Sequence, residues 1–216
     1  MNKLIYFLII TSVLSSCTQN NKNEESTTVN RITKQKYIPK QEAVSLNDSA
    51  VSLLIQVVPF QDSVNAKLNR KALTYLNKAL KVDSLYQLAY SNKVDVLRNI
   101  GRFEEAIKTL EQTSEIFDGY AEAYSARGFL YEKIGKRDSA YIMYNLALKA
   151  YQKRILEEPE NINHQINVAF ILLFTDGKTE SLYEIEDIIQ KTNDKQALDF
   201  RAVIKSFERD QFITDY

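Results

Sequence analysis

The chain has 216 residues, in which 28 lysines and arginines balance 28 aspartates and glutamates, with a single histidine. This length suits one domain of ordinary size, and the even charge provides no basic face of the kind nucleic acid demands, so no nucleic-acid partner is expected. Five glycines, three prolines and no tryptophan, with thirteen tyrosines and many leucines, alanines and lysines, describe a mostly helical protein.

In chain order, Lys3 and the apolar run "LIYFLIITSVL" (Leu4–Leu14) read as the positive and hydrophobic parts of a secretory leader. As helix the run would reach about 16 Å, against the roughly 30 Å of a bilayer core, so it is too short for a permanent span. The next residues, "LSSC" (Leu14–Cys17), resemble the bacterial lipoprotein signal. That resemblance implies removal of residues 1–16 and acylation of Cys17, which would moor the protein to a membrane through its acyl chains. Cys17 is the sole cysteine, so no disulfide within one chain competes for it. The alternative is a plain secretory leader with an incidental cysteine. Thr18 stands where many inner-membrane lipoproteins carry aspartate, so the expected location is the bacterial envelope, at the outer membrane, on its periplasmic or surface face. "NKNEES" just beyond is similar to acidic surface-export signals, and is equally read as solvated tether.

Residues 18–40 are polar and poor in apolar side chains, a composition that does not order itself. As coil they would span roughly 25–30 Å. The expected organisation is a leader at 1–16, the lipidated cysteine and a flexible tether at 17–43, and a helical body at 44–216.

The body repeats. Ala72, Ala106 and Ala140 are spaced 34 residues apart, as are Gly101 and Gly135, the pairs Ala89-Tyr90 and Ala123-Tyr124, and the series Leu76, Leu110, Tyr144. These segments resemble the tetratricopeptide repeat, a helix–turn–helix unit. The resemblance implies an all-α solenoid of stacked antiparallel hairpins, three to four of them, closed by a capping helix. Small residues (Gly128, Ala106, Ala140, Ala79, Ala147) let helices approach, and Tyr90 and Tyr124 fill the gaps between them. Gly101 and Gly135 end first helices. The pattern has departures: Val94 stands in the small position matching Gly128, and Thr113 in that of Ala79 and Ala147. An interruption containing Pro59 lengthens the first hairpin's loop, and the second helix of the third repeat runs on towards Pro159. "NHQINVAFILLFTDG" and "ESLYEIEDIIQK" form a fourth, degenerate hairpin, and "DKQALDFRAVIKSFERDQF" reads as one final capping helix.

Catalytic chemistry is not evident. One histidine cannot build a metal cluster, and no nucleophile elbow or phosphate-cradling glycine loop is present. Glu104-Glu105 and Glu157-Glu158 lie beside Arg102, Lys108 and Arg154 and read as solvated faces. The expectation is a non-enzyme with no cofactor, no metal and no small-molecule substrate. By resemblance, the groove lined by first helices binds a protein or peptide partner through Leu88, Ser91, Asp95, Arg98 and Asn99 in the second repeat. In the third it would use Glu122, Ser125, Phe129, Glu132 and Lys133, and in the fourth His164, Asn167 and Ile171. Some relatives clamp a terminal carboxylate with lysine and asparagine, but Ser91 and Asp95 occupy two of those places here. The readings carried forward are a lipid-anchored interaction scaffold and, alternatively, a pilotin-type assembly factor for an outer-membrane or secretion complex.

Overall fold

The computed structural model describes residues 37–56, 62–117 and 119–216. The leader, Cys17, most of the tether and the interruption around Pro59 lie outside these residues. Among the described residues there are ten helices and no strand. They pair in chain order. The first hairpin is α1 (Gln41–Leu54) with α2 (Asp62–Val82), and the second is α3 (Gln87–Asn99) with α4 (Phe103–Ile116). The third is α5 (Ala121–Lys133) with α6 (Arg137–Glu157), and the fourth is α7 (Ile162–Thr175) with α8 (Lys178–Thr192). Helix α9 (Lys195–Ser206) packs on α8 and caps the stack, while α10 (Arg209–Asp215) turns back onto α5.

The 34-residue columns are the core. Ala72, Ala106, Ala140, Ala79 and Ala147 are at most 1% exposed, and Leu76, Leu110 and Tyr144 are buried beside them. Thr113 takes the remaining small position without leaving a polar group bare, because its hydroxyl donates to the Thr109 carbonyl at 2.8 Å. Ser181 plays a comparable part in the fourth hairpin, where its buried hydroxyl donates to the Ala169 carbonyl at 2.6 Å and ties α8 to α7. Gly101 and Gly135 end α3 and α5 at φ 71° and 78°. After each, a backbone N–H reaches back five residues, from Arg102 to the Leu97 carbonyl and from Lys136 to the Tyr131 carbonyl, both at 2.8 Å. This is a closing turn that requires a left-handed residue, which glycine supplies without strain. Helix α6 runs to Glu157 and stops before Pro159, burying Tyr151 in its extension.

Two features depart from the expected outline. The first described helix begins at Gln41, and Tyr37 and Lys40 just ahead of it are bound to the first hairpin. The Lys40 amide donates to Asp83 Oδ2 at 2.8 Å, and its Nζ donates to the Val82 carbonyl at 2.9 Å. The Tyr37 hydroxyl also bonds the Asp83 carboxylate. Secondly, the single final helix is two helices. Phe207 is extended, at φ −67° and ψ 130°, and breaks the run. The reason is burial: Phe207 and Phe212 are both 2% exposed, and both enter one aromatic cluster. A straight helix would have carried residues 208–216 off the end of the stack; the break sends them across the first helices instead.

Candidate functional site

The site is the face formed by the first helices α3, α5 and α7, the concave side of a stacked-hairpin solenoid. Helix α10 lies against it. Phe129, on α5, is the hub, with ring centroids 4.8 Å from Phe174, 5.1 Å from Phe212 and 5.1 Å from Tyr216. Phe170, Tyr144 and Phe207 complete the cluster.

Charged groups frame the aromatic centre. From α3, Arg98 donates from Nε and Nη2 to the main-chain oxygen of Tyr216, at 3.1 and 2.9 Å. Its guanidinium also covers the Tyr216 ring at 3.7 Å, a close cation–π contact. Asp95 holds Arg98 from the other side at 2.9 Å; burial pushes the Asp95 carboxyl up and Arg98 opposes the shift. From α5, Lys133 donates to the Thr214 carbonyl. These two cations satisfy carbonyls at the C-terminal end of α10, where main-chain oxygens lack partners within the helix. Glu132, 8% exposed, receives the fork of Arg209 at 2.7 and 3.0 Å and accepts from the Tyr144 hydroxyl at 2.8 Å. Desolvation and the neighbouring carboxylate drive the Tyr144 hydroxyl far above its usual range, so it is a fixed donor. The hydrogen bond to Glu132 raises Arg209, which keeps its charge at any ordinary pH.

The structure thus gathers five of the expected groove residues, Asp95, Arg98, Phe129, Glu132 and Lys133, around one segment. That segment belongs to the chain itself, which changes what these side chains face: Phe129 and Glu132 are covered by intramolecular contacts and do not line open solvent. The others fall elsewhere. Glu122 is buried beneath Arg154 at 2.6 Å, and Ser125 donates to the Ala121 carbonyl inside the third hairpin. Asn99 sits in a different cleft, between α2 and α3, with Asn65, Asn69 and Arg70. His164 is 6% exposed, against Glu158 and Asn161 at 3.2 Å each, while Asn167 and Ile171 are buried. Leu88, 53% exposed, and the half-buried Ser91 are open. A small, largely enclosed pocket lies beside Tyr216, lined by Tyr90, Ser91, Asp95, Glu122 and Ala126. Arg209, Phe212 and Tyr216 were not among the expected site residues. The sequence signal for them is the pair of aromatics four apart at the end of an amphipathic run.

Fold and site define an α-solenoid of helix hairpins whose first-helix face holds the chain's own segment 209–216. Comparison with known families gives the repeat a name. Residues 88–116 and 121–154 match the tetratricopeptide repeat, so α3/α4 and α5/α6 are two such repeats. Among characterised proteins, the chain is similar to the "Protein STIP1 homolog" of Dictyostelium discoideum, at 30% identity over 150 residues. The match covers 64% of this chain and spans only 25% of that protein. Solved structures that align include a crystal structure of MamA, with a TM-score of 0.38, 19% identity and coverage of 74% of this chain and 90% of that one. Another is MamA residues 41 to the end from Desulfovibrio magneticus RS-1, with a TM-score of 0.37, 16% identity and coverage of 71% and 96%.

Proposed function

We propose that this protein is an interaction scaffold, lipid-anchored at the bacterial envelope, that holds a partner polypeptide against its first-helix face. The observation that carries the reading is the grip of that face on a peptide segment: Arg98 and Lys133 take main-chain oxygens, Glu132 takes a basic side chain, and Phe129 takes two aromatic rings. A surface with these contacts recognises backbone and side chains together, as peptide-binding grooves do. Leu88 is 53% exposed and Ser91 half-buried, so α3 keeps accessible positions on the helix that supplies Arg98. The anchor rests on the "LSSC" signal at Leu14–Cys17.

Affinity capture from detergent-solubilised membranes tests the binding. The unaltered chain should retain a stoichiometric partner, and a Leu88→Asp/Ser91→Arg chain should lose it while keeping its helical circular dichroism. Retention of the same partner by that variant removes this face from the proposal. Metabolic labelling with a fatty acid tests the anchor, since label should enter the unaltered chain and be absent from Cys17→Ser.

A further inference from the structure

The segment on the first-helix face is held as a ligand is held. Seven residues of helix, Arg209–Asp215, are too few to persist alone in water. The chain enters this helix through extended Phe207, so α9 does not propagate into it. Glu208 and Arg209 are exposed, and Lys178 meets Glu208 at the surface at 3.3 Å. What secures α10 is therefore the face beneath it: two rings in an aromatic socket, a basic side chain on Glu132, and the last-turn carbonyls on Arg98 and Lys133.

We infer that the first-helix face of the second to fourth hairpins is a receptor for the end of a short helix bearing two aromatic residues four apart, with a basic residue three positions before the first. Residues 208–216 fill it as a displaceable internal ligand, and a partner segment of the same chemistry enters by exchanging with them. The inference rests on the scaffold reading and gives it a partner chemistry. Aromatic residues are required of the partner by burial. Phe212 and Tyr216 are 2% and 7% exposed, so their departure leaves Phe129, Phe170 and Phe174 facing water unless equivalent rings arrive. Exchange of like for like keeps that apolar area covered. The internal segment also sets a threshold, because the apparent affinity of any external segment falls by the fraction of molecules in which the face is vacant.

The probe is a fluorophore-labelled peptide of residues 206–216, "SFERDQFITDY", titrated by anisotropy into the full chain in detergent micelles. The control is the same peptide with Phe212 and Tyr216 both changed to Ala. Weak binding is expected to the unaltered chain. Binding should be roughly tenfold tighter or more in an Arg209→Glu chain, whose internal segment repels Glu132 and opens more often. A Phe212→Ala/Tyr216→Ala chain should bind tighter still, and adding Arg98→Ala to either should abolish the gain. Arg209 lies at the surface, so Arg209→Glu removes its pair with buried Glu132 and its contact with the Phe174 ring but leaves every aromatic side chain in place, and it decides the matter even where the double alanine variant fails to fold. Equal affinity for the unaltered and Arg209→Glu chains, both with full helical content, overturns the inference. Peptide exchange without a captured partner would sink the scaffold reading and leave this one standing. Partner capture that depends on Leu88 without any peptide exchange would do the reverse.

Discussion

The second and third hairpins share a 34-residue register, yet they differ where it matters. At the close-approach position the second has Val94 and the third Gly128. Facing them across the hairpin are Leu110 and Tyr144. The two pairs conserve bulk by exchanging it: a β-carbon on Gly128 would overlap the Tyr144 ring, whereas valine is matched with a smaller aliphatic side chain. The exchange has a consequence on the first-helix face. Tyr144 carries a hydroxyl that reaches Glu132, and Glu132 holds Arg209. The second hairpin has no hydroxyl there; its equivalent of Glu132 is Arg98, which takes Tyr216. One repeat therefore presents a cation and the next an anion, and α10 spans them. The regular columns build the scaffold, and the departures from them build the site.

The largest expected effect is at the aromatic hub of the third hairpin. Phe129→Ala empties a socket touched by five other rings and should cost about 3–5 kcal/mol, read as a lower midpoint in denaturant melts followed by circular dichroism. An unchanged midpoint would mean that the aromatic cluster does not support the stack.

Next is the exchange of bulk itself. Gly128→Val should destabilise by about 1–3 kcal/mol through overpacking, despite the better helix propensity of the new residue. Adding Tyr144→Leu recreates the second hairpin's pair and should recover most of the thermal stability while weakening the Glu132–Arg209 contact. A double variant no better than the single one would show that the two pairs are not equivalent.

Arg98→Ala is expected to act locally. It removes three hydrogen bonds, two to Tyr216 and one to Asp95, and a cation–π contact, worth about 1–3 kcal/mol together. Hydrogen exchange should accelerate in residues 209–216 and stay unchanged in α1 and α2; uniform acceleration would contradict a separable segment.

The smallest effect concerns the N-terminal clasp. Desolvation pushes the Asp83 carboxyl up, but the Lys40 amide, the Tyr37 hydroxyl, the Leu85 amide and the Lys40 charge outweigh it, so the group ionises below its ordinary value of 3.8. Its stabilisation is therefore complete above about pH 4 and is lost as pH falls through the lowered value. Thermal midpoints should fall more steeply on acidification below pH 4 for the unaltered chain than for Asp83→Asn; parallel curves would remove the clasp from the account.

The hairpins were legible because their signals are local and periodic. Ala106, Ala140, Gly101 and Gly135 recur at one spacing, and each has a use within its own hairpin or turn. The extension of α6 to Pro159 and the fourth hairpin were visible for the same reason. The site was legible only in part. Asp95, Arg98, Phe129, Glu132 and Lys133 lie where the repeat register puts them, but the register carries no information on what covers them. Asn99 holds the same register place as Lys133, yet it lies in another cleft, between α2 and α3.

The sequence by itself determined a stack of helix pairs, since small and large residues at a fixed stride can be buried only against neighbours of the same kind. Only the tertiary structure decided that Phe207 breaks the last helix and that residues 208–216 cross to hairpins more than seventy residues earlier. A contact at that separation leaves no local period to read. It arises where the aromatic surface left over by α5 and α7 meets the aromatic surface left over by the tail, and burying each against the other removes both from water.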